Sequence, residues 1–189
     1  NHKNIVCINV PSIRGREQRE NTSLSRDIEV QEISDIVDNL IKNRQGNEKI
    51  DLGIISFYKG QVEKISEKLQ ELTQGQNFKD IFTHNIDDMC GTVDSFQGKE
   101  FDVVILSCVR SRLGVGNLGF LDTAEGKCRI NVALSRAKKQ LVVIGDMETL
   151  SRIGQNADDS ENFPPYFENL QKYISENPDT CVITTKGQK

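Results

Sequence analysis

The sequence predicts an α/β domain in which a mostly parallel sheet is covered by helices on both faces. Short apolar runs rich in Ile and Val alternate along the chain with longer segments whose apolar residues recur at helical spacing. Two runs, Phe101–Cys108 and Gln140–Ile144, are apolar almost throughout, as expected for central parallel strands buried on both faces. Such alternation is typical of a doubly wound sheet.

The amino-terminal part contains two predicted pairs of a strand and a helix. Ile5–Val10 is β-branched and precedes a proline, which predicts a strand, and a polar, arginine-rich loop follows. A helix is predicted from about Arg26 to Arg44, because its apolar residues form one stripe. Leu52–Ser56 is the next predicted strand, and a second helix covers about Lys59 to Thr73.

The middle of the chain is less regular. Short strands are predicted at Ile81–Thr83 and Asp88–Thr92, and a start resembling a capping box at Asp94–Gln97 predicts a helical turn before the strand at Phe101. A helix is predicted to begin near Arg129. Its apolar face would be formed by residues at i, i+3, i+4 and i+7, namely Ile130, Ala133, Leu134 and Ala137.

The carboxyl-terminal part continues the alternation. Beyond a glycine-rich loop at 113–119 and the strand that ends at Ile144, we predict a short helix after Asp146, an acidic loop at 158–161, a helix near 165–176 and a strand at 181–184. No internal repeat is visible, so we expect one domain covering residues 1–189.

Composition narrows the class of protein. With 36% hydrophobic residues and no apolar run near the roughly 20 residues of a membrane helix, the chain is expected to be globular and without a membrane span. Its first residues lack the features of a signal peptide, which predicts an intracellular protein, cytoplasmic or, in a eukaryote, nuclear. A net charge of −4 argues against a broad basic surface but leaves room for a local basic groove.

Cysteine usage predicts neither disulfides nor a metal site. The five cysteines are odd in number and widely spaced, and they contain no Cys-x-x-Cys pair. Cys7, Cys108 and Cys181 lie within apolar runs, where a free thiol behaves as a small hydrophobic group.

Phosphate binding is the chemistry that the polar residues suggest. Thr92 and Ser95, with nearby backbone N–H groups, can hold a backbone phosphate, and Asp94 is expected to turn inward as a cap. Arg129 and Arg136 are predicted to share a helix face, from which a guanidinium can reach phosphate oxygens. A solvated or salt-bridged arginine is the alternative that spacing alone leaves open.

Two segments resemble motifs V and VI of superfamily 1 helicases, in the group of the nonsense-mediated-decay helicase, senataxin and the immunoglobulin-switch-region-binding helicase. The family pattern T-V-D-x-F-Q-G-x-E-x-D-x-(I/V)-I-L-S corresponds to Thr92–Ser107, and L-N-V-A-L-(T/S)-R-A-(K/R) corresponds to Ile130–Lys138. Residues 54–61 resemble motif IV, with Ser56 for threonine and Phe57 for proline. Near residue 23 the family pattern is S-x-x-N-x-x-E-A, and Arg26 stands in place of the asparagine.

The resemblance implies a second RecA-like domain of an ATP-dependent helicase, with the fold of a P-loop NTPase. It implies that Arg136 is the arginine finger, that Gly98 and Glu100 contact the nucleotide, and that Gln97 couples the nucleotide site to the nucleic-acid site. It also implies contacts to single-stranded DNA or RNA by Ser56, Tyr58, Gln61, Thr92, Ser95 and Asn131.

A complete ATP site is not visible in the sequence. There is no G-x-x-x-x-G-K-(S/T) segment and no D-E-x-x pair suited to hold Mg²⁺. We therefore expect ATP and Mg²⁺ to be bound mainly by an amino-terminal RecA-like domain of the same polypeptide, and the isolated chain to be inactive. Two alternatives remain at this point: a non-catalytic nucleic-acid-binding or scaffold module with this fold, and a nucleotide-binding enzyme of another α/β family.

Overall fold

The main sheet of the domain has six parallel strands. A computed structural model describes residues 4–75, 77–111, 119–153 and 164–187. Its strands, in chain order, are β1 (Ile5–Asn9), β2 (Gln18–Glu20), β3 (Ser23–Ser25), β4 (Leu52–Ser56), β5 (Cys90–Thr92), β6 (Phe101–Ser107), β7 (Ala137–Gly145) and β8 (Cys181–Thr185). The order across the sheet is β5-β4-β6-β7-β1-β8, and each neighbouring pair is parallel.

Helices cover both faces of this sheet, as predicted. They are α1 (Asp27–Lys42), α2 (Lys59–Leu72), α3 (Phe78–Ile81), α4 (Ile86–Met89), α5 (Ala124–Leu134), α6 (Met147–Ser151) and α7 (Tyr166–Glu176). On one face, α1 to α4 pack around a core that includes Ile33 and Ile105; on the other, α5 to α7 pack around a core that includes Leu106 and Ile130. The predicted α/β class with a parallel, doubly covered sheet is confirmed.

The loop after β1 contains a hairpin that the sequence did not predict. β2 and β3 pair antiparallel, with Gln18 opposite Ser25, and Asn21 in the turn has φ 54°. Asparagine tolerates this left-handed conformation better than most residues, which permits the tight turn. Both strands are short and mostly polar, so neither of them reads as an apolar run.

The prediction of two short strands between residues 81 and 92 is mostly wrong. Phe82 makes only an isolated parallel bridge to Ile50, and residues 86–89 form α4. The Asn85 side chain caps α4 by accepting from the backbone N–H of Asp88 at 2.9 Å, and such a cap favours a helix over a strand. Only the end of the second predicted strand remains, as β5.

Helix α5 begins and ends earlier than predicted. Thr123 caps its start by accepting from the N–H of Gly126, and the helix stops at Leu134. Arg136 therefore lies outside the helix and shares no helix face with Arg129, while Ala137 opens β7. The helical pattern does not continue to Ala137, because this residue pairs with Phe101 in the sheet.

A helical turn precedes β6 as predicted, but it lacks the capping box expected at Asp94–Gln97. Residues 93–96 form a 3-10 turn that Thr92 precedes without a side-chain cap. The glycine-rich loop at 113–119 lies almost entirely, and the acidic loop at 158–161 entirely, outside the described residues.

The cysteines are free thiols, and four of them are buried: Cys7, Cys90, Cys108 and Cys181. Burial raises the pKa of Cys7 and of Cys90 to about 12, so both stay protonated at neutral pH. Within the described residues, no helix has the length and apolar character needed to cross a membrane.

Candidate nucleic-acid and nucleotide sites

Three strands end level with one another at the carboxyl edge of the sheet. Ser56 of β4 is in register with Thr92 of β5 and with Ser107 of β6. The Ser56 hydroxyl is fully buried; it donates to the carbonyl of Ser107 at 3.0 Å and accepts from the N–H of Tyr58 at 3.4 Å. Ser56 therefore fixes the turn that leaves β4.

A buried polar network lies behind this edge. The Gln61 amide accepts from the N–H of Arg26 at 2.7 Å and donates to the Ser107 hydroxyl at 2.9 Å. That hydroxyl donates in turn to the Glu29 carboxylate at 2.7 Å, and Arg26 pairs with the same carboxylate at 3.1 Å. Neither side chain of the Arg26–Glu29 pair is exposed, so both charged groups find their hydrogen-bond partners inside the protein.

Glu29 also holds the backbone where it leaves β6. Both of its oxygens accept from the N–H of Val109, at 3.0 and 3.1 Å, and Val109 has φ 68°. A β-branched residue is strained in this region, so the carboxylate contact stabilises a conformation that the chain avoids elsewhere. Burial raises the pKa of Glu29, while the Arg26 charge and the hydrogen bonds from Ser107 and Val109 oppose that shift.

A cleft of about 270 Å³ opens beside the end of β5. Phe57, Lys59, Thr92, Val93, Asp94, Phe120 and Arg129 line it. Thr92 is half-buried, and its carbonyl accepts from the exposed Ser95 hydroxyl at 2.7 Å. The lining thus combines two basic and two aromatic residues with Thr92 and the acidic Asp94. Basic and aromatic side chains are the types that bind single-stranded nucleic acid.

Asp94 and Arg129 form a two-point ion pair on this cleft. Arg129 Nε lies 2.9 Å from one carboxylate oxygen and Nη2 lies 3.1 Å from the other. A third bond joins Nη1 to Glu125 at 2.9 Å, and the guanidinium lies 5.6 Å from the centre of the Phe120 ring. The hydrogen bonding that Arg129 donates to Asp94 is the main reason that the pKa of Arg129 is raised. Asp94 does not turn inward as a cap; it faces the arginine.

Arg136 and the segment before β6 meet at the opposite, amino edge of the sheet. Arg136 Nη1 lies 3.4 Å from the carbonyl of Lys99, and the N–H of Phe101 donates to the carbonyl of Arg136 at 3.1 Å. Arg136 Nε donates to the Val132 carbonyl at 3.0 Å and so satisfies one of the last carbonyls of α5. The two recognised segments are therefore in direct contact.

This placement differs from the one that open sheets suggest. Ligands of such sheets usually bind beyond the carboxyl ends of the strands. Glu100 and Arg136 instead directly precede the amino ends of β6 and β7. Gln97, Gly98 and Glu100 are all exposed, and Gly98 has φ 80°, which favours glycine.

The residues predicted to bind nucleic acid fall into two groups. Thr92, Ser95 and Asn131 have accessible surface. Ser56, Tyr58 and Gln61 are buried, at 0%, 8% and 0% exposure. In this conformation the buried group supports the surface around the cleft, and a direct contact by any of these six residues stays a prediction.

Sequence reasoning missed three contributors to the cleft. Lys59, Phe120 and the pairing of Asp94 with Arg129 were not predicted. Arg129 had been singled out as a phosphate-binding candidate, but its partner lies 35 residues away and no local pattern reveals it.

The fold and these sites define a RecA-like α/β domain. A family model described as an AAA domain, AAA_12, matches residues 1–148. The chain belongs to this family, which forms the carboxyl-terminal part of superfamily 1 helicases such as senataxin. The resemblance drawn from the motifs is confirmed.

Relatives with this domain are large proteins. The DNA replication ATP-dependent helicase/nuclease JHS1 of Arabidopsis thaliana is 30% identical over 151 residues, which cover 80% of this chain and 10% of that protein. Helicase sen1 of Schizosaccharomyces pombe is 36% identical over 140 residues, 73% of this chain and 8% of its own length. An uncharacterized ATP-dependent helicase of Methanocaldococcus jannaschii is 33% identical over 148 residues, 78% of this chain and 19% of its own length. The chain thus spans less than a fifth of each of these relatives.

Proposed function

We propose that this chain is the second motor domain of an ATP-dependent helicase that moves on single-stranded DNA or RNA. In this proposal Arg136 acts as the arginine finger and the carboxyl-edge cleft forms part of the nucleic-acid track. The observation that carries it is the contact between the two motif segments, where Arg136 reaches the carbonyl of Lys99 beside exposed Gly98 and Glu100.

The residues present suit one side of a nucleotide site. Arg136 makes weak or replaceable bonds through its two Nη atoms, to a carbonyl at 3.4 Å and to the Ser135 hydroxyl at 2.9 Å. A partly exposed guanidinium of this kind can be redirected to a phosphate, where it neutralises charge that develops during phosphoryl transfer. ATP with Mg²⁺ supplies the phosphoryl group when bound, and in our proposal a preceding RecA-like domain holds most of it. Glu100 offers an exposed carboxylate to the same ligand.

The first test is ATP hydrolysis by the full-length protein in the presence and absence of single strands. We expect strand-stimulated hydrolysis by the full-length protein and none by the 189-residue chain alone. Hydrolysis by the isolated chain would contradict a divided site. Strand binding without hydrolysis by either protein would instead favour a scaffold module.

Arg136→Ala tests the finger directly. In the full-length protein we expect turnover to fall by about 10³ or more, because the guanidinium acts on the transition state. Lys172→Ala, on the exposed surface of α7, is the matched control and should leave turnover unchanged. Near-normal turnover by the Arg136 variant, with a wild-type melting curve, would reject the assignment.

A further inference from the structure

Arg129 makes the most specific contacts on the cleft, and the proposed function gives this residue no role of its own. Its side chain is 29% exposed, and its Nε and Nη2 atoms meet both oxygens of Asp94. A phosphate can present a similar pair of oxygens to a guanidinium, so a carboxylate and a phosphate compete for the same two N–H groups of Arg129. Asp94 therefore occupies the position that a strand phosphate would take on Arg129.

The surroundings favour an exchange of partners. Asp94 is 65% exposed, so its carboxylate can turn into water at little cost when Arg129 takes another anion. Thr92 and Lys59 line the same cleft, and Phe120 supports the guanidinium from one side. With Asp94 in place, its carboxylate neutralises the charge of Arg129, which then attracts an incoming phosphate less strongly.

We propose that Asp94 and Arg129 form an ionic latch on the nucleic-acid cleft: a backbone phosphate of the strand displaces Asp94 from Arg129. This inference rests on the proposed function, since it names a regulatory contact of the proposed track. The latch sets a threshold for binding, so removal of Asp94 strengthens strand binding although it deletes an ion pair.

Fluorescence anisotropy with a labelled thymidine oligonucleotide and the full-length protein, free of nucleotide, tests the latch. We expect Asp94→Asn to bind about fivefold more tightly and Arg129→Met about tenfold more weakly. Arg129→Met should also reduce the slope of log affinity against log salt by about 0.7, the loss of one phosphate contact to a single strand. In the double variant, Asp94→Asn should give no gain, because the freed guanidinium is gone.

Glu63→Gln is the matched control. Glu63 pairs with Lys59 at 3.6 Å, so its neutralisation removes one negative charge near the cleft without touching Arg129. An equal gain from Glu63→Gln and Asp94→Asn would overturn the latch and leave a general charge effect. Unchanged affinity of the Arg129→Met variant would overturn it as well.

Folding and the proposed function are checked separately. Thermal melts establish that each variant is folded. If Asp94→Asn does not fold, Arg129→Met and Arg129→Lys test the latch instead. We expect Arg129→Lys to bind strands more weakly than the wild type, because a lysine cannot make a two-point bond to a phosphate. If strands neither bind the wild-type protein nor stimulate its ATP hydrolysis, the proposed function fails and the latch fails with it. If strands stimulate ATP hydrolysis but the Arg129 variants bind them with wild-type affinity, the latch alone is rejected.

Discussion

Arg26 is a fully buried arginine whose three guanidinium nitrogens each donate to an acceptor. Its guanidinium donates to the carbonyls of Val10, Pro11 and Gly15 and to the carboxylate of Glu29. It thereby ties the loop after β1 to the start of α1, and through Glu29 to the end of β6. A smaller amide at this position, as in the family pattern, would reach fewer of these groups.

Arg26→Met should destabilise the fold strongly. The substitution leaves Glu29 buried without its positive partner and deprives three carbonyls of a donor, which costs about 3 to 5 kcal/mol of unfolding free energy. Urea denaturation followed by circular dichroism measures this difference. Arg14→Met, which breaks a partly exposed pair with Glu32, should cost about 1 kcal/mol or less. A loss no larger than that of the control would show that the buried network contributes little.

The sequence predicted the helix that begins beside Arg26 but not the burial of this residue. Arginine in a polar loop normally reads as a solvated side chain, because burial of a charge is costly without a partner. Its side-chain partners are Val10, Pro11 and Gly15 of the loop after β1, and Glu29 of α1. Glu29 in turn accepts from Ser107 and Val109, which approach it only in the folded protein. Arg26 stood out solely as a departure from the family pattern.

At the scale of elements, α5 depends on close packing against the turn that precedes it. A Cβ on Gly126 would lie 1.9 Å from the Phe120 carbonyl oxygen and 2.7 Å from Leu121 Cα. Both are backbone atoms, which cannot move aside as a flexible side chain does. Gly126 therefore permits the contact that positions α5, and with it Arg129.

Gly126→Ala should destabilise the protein although alanine favours helices. The clash requires a shift of α5 or of residues 119–122, with an expected cost of about 1 to 3 kcal/mol. Gly60→Ala in α2 is the control, because its Cβ would lie 3.3 Å from the Ser23 side chain and 3.5 Å from the Leu24 carbonyl oxygen, far less close than the contacts at Gly126, and helix propensity improves. Differential scanning calorimetry should show a lowered Tm for Gly126→Ala only. Equal Tm values would mean that the turn adapts freely.

The boundaries of α5 also show where periodicity fails as a predictor. Ala137 fits the helical face by spacing, yet it belongs to β7, since strand pairing with β6 begins there. The five residues before Arg129 lack a strong apolar stripe, so the pattern hid the true start at Ala124. The continuous runs of β6 and β7 were predictable because burial on both faces demands apolar residues throughout.

At the scale of the whole molecule, two segments connect opposite edges of the sheet. Thr92 is level with Ser107 at the carboxyl edge, whereas Phe101 starts β6 six residues before Ser107, so residues 93–100 cover about 20 Å. Helix α5 returns from the loop after β6 to the start of β7. The Asp94–Arg129 pair joins these segments, and the Arg136–Lys99 contact joins them again at the amino edge.

This arrangement could not be predicted from the sequence alone. The alternation of strands and helices predicts a parallel sheet, but strand order depends on long-range pairing that leaves no local signature. The resemblance implied coupling between two sites without indicating that their candidate residues lie at opposite edges. Only the register of β4, β5 and β6 shows which residues share an edge.

Gln97 lies on the segment that runs between the edges, just beyond the 3-10 turn. In the full-length protein we expect Gln97→Ala to lower the ratio of strand-stimulated to unstimulated ATP hydrolysis about tenfold, a coupling of 1.4 kcal/mol, and to affect the unstimulated rate less. Gln70→Ala, exposed on α2, should leave this ratio unchanged. A steady-state ATPase titration with oligonucleotide measures both rates. If the Gln97 variant keeps the wild-type ratio, coupling does not pass through this side chain, and the contacts made by Asp94 and Arg136 become the remaining connections to test.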